Sequence, residues 1–261
     1  MAYIQSLYPI VRKQNLARGV YDYTVHCPEM AAEAVPGQFV HIRVPGFMLR
    51  RPISICGIDR EKGNLRLVME VRGEGTEVLS RLNEGELIDL MGPLGHGFTL
   101  LSPDKKAVVI GGGIGVPPLL GAIAHYGRNG TAITGFRSAS AVILQEDFQA
   151  AGAKTVLCTD DGTKGEKGFV TGALQKLLET ETPDILYACG PMPMLKAVAK
   201  MAEEKGIECE ISLEERMACG VGACLGCACH SPAPGGSRSI SLANPSRRPS
   251  GLRKTKFVFN S

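Results

Sequence analysis

Residues 106–118 read KAVVIGGGIGVPP, a short apolar run that passes directly into a glycine-rich turn. The apolar run predicts a buried strand of a parallel sheet, and the turn from Gly111 to Pro118 leads into a helix. Glycine lets a backbone approach a pyrophosphate closely, and the N-terminus of the following helix favours an anion. The segment therefore predicts an α/β unit with a candidate nucleotide site. It is not the usual Rossmann fingerprint, because Pro118 occupies the last position of G-x-G-x-x-G.

The chain after residue 105 continues to alternate short apolar runs with longer amphipathic ones. This alternation predicts an open α/β fold with helices on both faces of a parallel sheet. Ligands of such sheets bind at the carboxyl ends of the strands, where Cys189, Gly190 and Pro191 follow a predicted strand. A buried cysteine before a helix is the simpler explanation of Cys189 alone. The further predicted strands cover 131–137, 154–161 and 184–190, and the predicted helices cover 145–151, 171–181 and 193–206.

The first hundred residues have an all-β pattern. Between Tyr21 and Cys27, apolar and polar residues alternate, which is typical of a half-buried strand. Similar runs recur with even spacing and predict a small antiparallel barrel. One short helix is predicted over residues 76–82, with Thr76 as its N-cap. The other predicted strands cover 38–44, 52–58, 65–71 and 86–92.

These patterns divide the chain into a β-barrel (1–101), a parallel α/β domain (102–211) and a cysteine-rich segment with a basic tail (212–261). The 261 residues carry a net charge of +3, but residues 216–261 contribute +7 and the rest sum to −4. This distribution argues against a nucleic-acid partner. The uncharged run 107–124 is too rich in glycine and proline for a membrane helix. With no secretory signal at the N-terminus, we expect a cytoplasmic protein.

The cysteine-rich segment contains Cys219-x4-Cys224-x2-Cys227 on a loop of small residues. This is the thiolate spacing of a plant-type [2Fe–2S] cluster, although a zinc site or inert thiols are alternatives. A fourth ligand cannot be identified: Cys229 lies too close to Cys227, and nothing favours His230. The other histidines show no ligand spacing and are interpreted as structural or surface residues. Hydrolase motifs are absent.

The barrel offers candidate ligands for a second phosphate-containing cofactor. Arg51 and Ser54 place a cation and a hydroxyl on one extended segment, which suits a diphosphate and the edge of a flavin ring. Gly73–Thr76 opens the predicted short helix and presents backbone N–H groups. A solvated arginine pair and an ordinary turn are the alternatives. Arg137, at the end of the second α/β strand, either faces an adenosine phosphate or is solvated.

Five segments of the chain together resemble the ferredoxin–NADP reductase superfamily. They are RRPISI (50–55), GEGT (73–76), GGGIGVPP (111–118), CGPMPM (189–194) and SLEERMACGVGACLGCAC (212–229). Within this superfamily, the chain is similar to electron-transfer subunits of the NAD-dependent (B-type) dihydroorotate dehydrogenases of pyrimidine biosynthesis. The resemblance implies an FAD-binding barrel, an NAD-binding α/β domain and a 2Fe–2S cluster segment. The implied FAD ligands are Arg51, Pro52, Ile53, Ser54, Val68, Met69, Glu70, Gly75 and Thr76. The implied NAD ligands are Gly113, Gly115, Pro118, Cys189, Gly190 and Pro191, and the implied cluster ligands are Cys219, Cys224 and Cys227.

The resemblance also implies a partner and a direction of electron flow. An FMN-containing catalytic subunit would oxidise dihydroorotate, and electrons would pass through the cluster and FAD to NAD, in a heterotetramer with two copies of each chain. No residue of this chain would act as a catalytic acid or base. The alternatives are a flavin subunit of a related NADPH-dependent ferredoxin reductase or sulfide dehydrogenase, and a non-catalytic metal-binding or assembly module.

The tail departs from the family pattern. Members of the family continue with an acidic segment that supplies a fourth cysteine about fifteen residues past the third. At that distance this chain has Leu242, within a stretch rich in serine, proline and arginine. We hypothesise that the sequence after about His230 is out of frame or otherwise replaced.

Overall fold

The computed structural model describes residues 3–213, 217–224, 227, 229–232, 238–241 and 255–259. The N-terminal part is a closed antiparallel barrel of six strands in the order β1-β2-β5-β4-β3-β6. Two short helices accompany it, α1 (Pro28–Glu33) and α2 (Glu74–Ser80). The strands are β1 (Ile4–Ala17), β2 (Val20–His26), β3 (Phe39–Ile42), β4 (Arg51–Asp59), β5 (Asn64–Glu70) and β6 (Leu87–Leu94).

The barrel follows from the alternation seen in the sequence. Tyr23 and Val25 of β2 and Leu65 and Leu67 of β5 are buried together in the barrel core, because side chains two residues apart on a strand point to the same face. The predicted barrel is confirmed. Helix α1 and the 14-residue β1 were not predicted from the sequence.

Helix α2 begins two residues before the predicted start. Its N-cap is Gly73, and Thr76 lies inside its first turn. The Thr76 Oγ1 accepts hydrogen bonds from the backbone N–H groups of Arg72 (2.9 Å) and Gly73 (3.1 Å). The expectation that Thr76 is the N-cap was therefore wrong, although its hydroxyl does satisfy backbone donors at the beginning of the helix.

The second part is a parallel sheet of seven strands in the order β10-β9-β8-β7-β11-β12-β15, which confirms the predicted α/β fold. Strands β13 and β14 form a separate antiparallel pair. The strands are β7 (Ala107–Gly112), β8 (Gly130–Phe136), β9 (Lys154–Thr159), β10 (Glu166–Lys167), β11 (Ile185–Cys189), β12 (Glu208–Leu213), β13 (Cys229–Pro232), β14 (Arg238–Ser241) and β15 (Thr255–Phe259). The helices are α3 (Leu120–Tyr126), α4 (Gln145–Ala150), α5 (Val170–Thr180) and α6 (Met192–Lys205). None of these described helices is long and apolar enough to cross a bilayer.

Strand β7 lies between β8 and β11, so the chain runs outward from β7 in both directions. The carboxyl ends of β7 and β11 are therefore neighbours at the point where strand order reverses, and Gly111 is paired with Cys189 there. A crevice at such a reversal is where open α/β sheets bind ligands.

The seventh strand comes from the segment that the sequence analysis separated from the α/β domain. β15 (Thr255–Phe259) pairs in parallel with β12 and extends the sheet. The run TKFVF is rich in strand-forming residues, but five residues after a long Ser/Pro-rich stretch are too few to establish a periodicity.

The barrel and the sheet pack directly against each other. Val68 and Phe98 of the barrel part share an apolar cluster with Val109 and Tyr187 of the sheet. Arg66 of β5 also forms ion pairs with Asp22 of β2 and with Asp147 of α4, which ties the two parts together.

Candidate functional site

The beginning of β4 and the first turn of α2 form one corner of the barrel. The Arg51 guanidinium donates to the Leu49 carbonyl at 2.7 Å and lies over the Phe47 ring, 5.2 Å from its centroid. It also lies against Gly75, where a Cβ atom would come within 2.6 Å of the Arg51 Nε. The sequence proposed Arg51 and Gly75 as ligands of the same diphosphate, and the structure brings them together. Residues 51–54 are half-buried.

Three consecutive residues of β5 point in alternating directions. Val68 is buried between barrel and sheet, whereas the Met69 side chain lies in the barrel core. Only the backbone of Met69 is therefore available to a cofactor outside the barrel. The Glu70 carboxylate accepts a hydrogen bond from the Arg72 Nε at 2.7 Å, so its charge is balanced locally.

The turns after β7 and β11 are in close contact. A Cβ atom on Gly115 would lie 2.5 Å from the Cys189 carbonyl oxygen, and one on Gly112 would lie 2.9 Å from the Pro191 Cδ. Gly113, with φ of +56°, has open space where a side chain would extend. Glycine is thus required at 115 by close approach, whereas Gly113 borders an opening.

Four of the six predicted nicotinamide ligands are buried, namely Gly115, Pro118, Cys189 and Gly190, whereas Gly113 and Pro191 are exposed. Pro118 belongs to the short turn 117–119, which packs against β4 of the barrel. Strand β4, which carries the flavin candidates, is thereby connected to the glycine-rich turn.

The cysteine loop has the donor chemistry of an iron–sulfur site. The backbone N–H of Cys224 donates to the Cys219 Sγ at 3.4 Å. Burial raises the pKa of the Cys219 thiol, but hydrogen bonds from Cys224, Val221 and Ala223 outweigh it and lower the pKa to about 7. Thiolate-stabilising N–H groups around a cysteine are what a cluster loop provides. Cys224 is exposed and Cys227 is 2% exposed.

Thiolates and backbone N–H groups are suitable ligands and donors for a [2Fe–2S] cluster, but the loop is not preformed to bind one. Within the described part of the chain, no three His, Cys, Asp or Glu side chains lie close enough together to hold a metal ion. Metal loops commonly close only when the metal binds. Leu242, where the family pattern expects the fourth ligand, lies outside the described residues.

His41 is a residue of this region whose role the sequence analysis missed. It lies on β3 beside Pro52 of β4, and Gly220 of the cysteine loop packs on its ring. The signal in the sequence was a histidine inside the otherwise apolar run FVHI, all four residues of which are buried.

Two family matches cover the barrel and the cysteine loop. Residues 8–98 match the oxidoreductase FAD-binding domain family. Residues 214–239 match the iron–sulfur cluster binding domain of dihydroorotate dehydrogenase B. The interpretation as a metal-binding or assembly module without flavin is therefore not supported.

Curated relatives match most of the chain. The "dihydroorotate dehydrogenase B (NAD(+)), electron transfer subunit" of Bacillus cereus (strain B4264) is 41% identical over 229 residues, covering 85% of this chain and 86% of the relative. The protein of the same name from Geobacillus thermodenitrificans (strain NG80-2) is 41% identical over 231 residues, covering 85% and 88%.

A solved structure matches the fold over nearly the whole chain. It is a chain of an NADH-dependent reduced ferredoxin–NADP oxidoreductase, described in connection with flavin-based electron bifurcation. It is 31% identical, with a TM-score of 0.80, covering 98% of this chain and 88% of that one.

Proposed function

Because this chain belongs to the family of electron transfer subunits of dihydroorotate dehydrogenase B (NAD(+)), we propose that it carries electrons from a dihydroorotate-oxidising partner to NAD. The path runs from a 2Fe–2S cluster through FAD to the nicotinamide. When bound, FAD exchanges electron pairs with NAD and single electrons with the cluster, which allows single electrons to cross a subunit interface.

The observation that carries this proposal is the position of β4. Its neighbour β3 contacts the cysteine loop through His41 and Gly220. β4 itself packs against residues 117–119, at the end of the glycine-rich turn. A flavin on β4 would therefore be close to both the cluster and the nicotinamide, as the relay requires.

We assign the FAD diphosphate to Arg51, with Gly75 and Thr76 of the first turn of α2. Arg51 supplies positive charge, and Gly75 leaves room for its guanidinium. Pro52, Ile53 and Ser54 would line the isoalloxazine along β4. Val68 and Glu70 would border it from β5, and Met69 would contribute its backbone alone.

We assign NAD to the crevice between the turns after β7 and β11. Gly113 borders its open side, Gly115 and Gly190 allow the two turns to approach each other, and Pro191 packs against Gly112. Because Cys189 and Pro118 are buried, they would shape the floor of the crevice rather than cover the dinucleotide. The barrel (1–101) would thus hold FAD, the α/β domain (102–211) NAD and the cysteine loop of 212–261 the cluster, while β15 of that last segment belongs to the α/β sheet.

Cys219, Cys224 and Cys227 would ligate the cluster, with the N–H groups of the loop stabilising the thiolates. The partner would be an FMN-containing catalytic subunit, in an assembly of two copies of each chain. Thiolate ligands persist in a reducing compartment, which favours a cytoplasmic location.

The test is co-expression with the catalytic subunit, followed by cofactor analysis and activity measurements on the wild type and Cys224→Ser. The wild type should bind FAD and, with a fourth ligand completing the cluster, should also bind iron and support dihydroorotate-dependent NAD reduction. Cys224→Ser should lose the dihydroorotate-linked activity by at least about 100-fold, because it lacks a cluster ligand. It should keep NADH-driven reduction of its own FAD. A wild-type protein without bound flavin overturns the proposal.

A second candidate is a flavin subunit of an NADPH-linked ferredoxin oxidoreductase. The 31% identical solved structure and the exposed Arg137 at the end of β8 favour it, since Arg suits a 2′-phosphate. Stopped-flow reduction of the bound FAD distinguishes the two. Faster reduction by NADH supports the dihydroorotate-linked subunit, and faster reduction by NADPH supports the second candidate.

A further inference from the structure

His41 is a buried polar side chain that the described structure leaves without a hydrogen-bond partner. It is 0% exposed, and neither Nδ1 nor Nε2 has a partner among the described residues. Buried polar groups in native proteins are nearly always hydrogen-bonded, so an exception calls for an explanation such as an unplaced ligand.

The cysteine loop comes to His41 more closely than any side chain would permit. Gly220 follows the first cluster cysteine, and a Cβ atom on it would lie 2.7 Å from the His41 Nδ1 and 2.8 Å from Cε1. Its φ of +70° is also a conformation that other residues rarely adopt. Position 220 therefore requires glycine for two independent reasons, and the absence of a side chain there allows the loop to pack against the imidazole.

Burial, together with the nearby Arg50 charge, keeps the His41 imidazole neutral. Burial lowers its pKa, and the Arg50 guanidinium lowers it further, to about 4. Arg50 donates to the His41 backbone carbonyl at 3.2 Å and pairs with Asp89 at 2.9 Å. A neutral imidazole carries one N–H donor and one acceptor nitrogen. One of the missing partners is therefore an acceptor for the imidazole N–H group, and Nδ1 is the nitrogen that Gly220 of the cysteine loop approaches.

Cluster sulfurs are such acceptors. The thiolate and sulfide atoms of a [2Fe–2S] cluster carry negative charge, and hydrogen bonds to them are a recognised determinant of its reduction potential. A donor stabilises the reduced, more negative form of the cluster more than the oxidised form.

We propose that His41 donates a hydrogen bond to a sulfur of the cluster held by the Cys219–Cys227 loop and thereby raises the reduction potential of that cluster. The inference rests on the proposed function, since it requires the loop to hold the cluster. It assigns to β3 of the barrel a role in matching the cluster to the flavin on the neighbouring strand β4.

The test compares His41→Leu, His41→Gln and the wild type in the co-expressed complex by an EPR-monitored redox titration. In His41→Leu, the reduced-to-oxidised ratio of the cluster at a fixed potential should fall about tenfold, which corresponds to about 59 mV for one electron. His41→Gln keeps an N–H donor and should restore most of the difference. His26→Leu is the matched control, because His26 is exposed and bonds Asn64 at the far end of β2.

Thermal stability provides a second readout that does not depend on the potential. In the metal-free chain, His41→Leu removes a polar group that has no partner, so it should raise the midpoint temperature of unfolding or leave it unchanged. In the cluster-loaded chain, the same substitution removes a hydrogen bond and should lower the midpoint.

The outcomes separate the two proposals. If all variants load iron and have the same cluster potential, the role of His41 is refuted and the proposed function stands. If the wild type loads no iron after anaerobic reconstitution, the cluster assignment fails and the role of His41 fails with it. Strong nitrogen hyperfine coupling in the wild type would make His41 a direct ligand, which also overturns the donor role.

Discussion

Arg51 and Gly75 depend on each other, because the guanidinium occupies the space that a side chain at 75 would fill. Removing the charge with Arg51→Ala should weaken FAD binding about 10- to 100-fold, the effect of losing one charge-assisted hydrogen bond to a phosphate. Titration of the flavin-free chain with FAD measures the change.

Arg60→Ala is the matched control for this prediction. Arg60 follows the last residue of β4 and binds the Ala34 carbonyl, at the opposite end of the strand from Arg51. It should retain wild-type FAD affinity. Equal affinities of both variants would contradict the assignment of Arg51.

His41 also makes stability depend on pH. Its pKa of about 4 lies below the ordinary value of 6.5, so between these pH values the unfolded chain binds a proton that the folded chain does not. The contribution of His41 to the free energy of unfolding is therefore fully present above pH 6.5. It is lost as the pH falls toward 4, by up to about 3 kcal/mol. Urea unfolding of the metal-free chain across this range, followed by far-UV circular dichroism, measures the slope.

In His41→Leu this part of the slope should disappear, whereas the exposed-site variant His26→Leu should keep it. An unchanged slope in His41→Leu would assign the pH dependence to other groups.

The roles of individual residues could be predicted from the sequence to different degrees. That Arg51 and Gly75 lie together is consistent with their motifs, because both motifs offer groups that suit a phosphate. The orientation of Met69 does not, because both faces of LRLVMEV carry apolar residues and a strand's facing is ambiguous when both faces are buried. His41 was missed because its importance arises from Gly220, which is distant in sequence.

Between elements, Arg66 joins two strands of the barrel to a helix of the other domain. It pairs with Asp22, which is 1% exposed, and with the more exposed Asp147. Arg66→Leu leaves Asp22 buried without its closest cation and should cost about 3 kcal/mol of unfolding free energy. Urea denaturation measures it.

Asp147→Asn provides the contrast, because Arg66 then keeps Asp22. It should cost no more than about 1 kcal/mol. If both substitutions lower the free energy of unfolding equally, the Arg66–Asp147 ion pair between the domains, and not the burial of Asp22, accounts for most of the loss in Arg66→Leu.

Elements with a clear period were predictable, and those without one were not. The strands of the barrel and the sheet follow two-residue alternation or short apolar runs. Helix α1 spans six residues, too few for a helical period to show, and β1 carries the polar run RKQN. The start of α2 was misplaced because glycine is only modestly enriched at helix N-caps, where threonine is among the leading residues.

At the scale of the whole molecule, the reading frame of the tail can be tested directly. The match to the cluster-binding family continues past His230 to residue 239, so we place the proposed change of frame after that residue. Translating the other two frames of the coding DNA should give a cysteine near position 242 within an acidic segment. If neither frame does so, the hypothesis is refuted.

The order of the domains was readable from the sequence, but their packing was not. Motif order along the chain gave barrel, α/β domain and cysteine loop. The packing of the barrel against the cysteine loop and against residues 117–119 depends on contacts between segments distant in sequence, for which local patterns carry no information.

The shape of the α/β sheet also determines where the molecule could aggregate. The barrel is closed, and the sheet's β10 edge is only two residues long, both charged. Short charged edges resist pairing with another chain. The opposite edge is β15, which covers the six-residue strand β12. A chain cut before residue 255 would expose that strand, and we expect it to precipitate at concentrations where the full chain scatters no light.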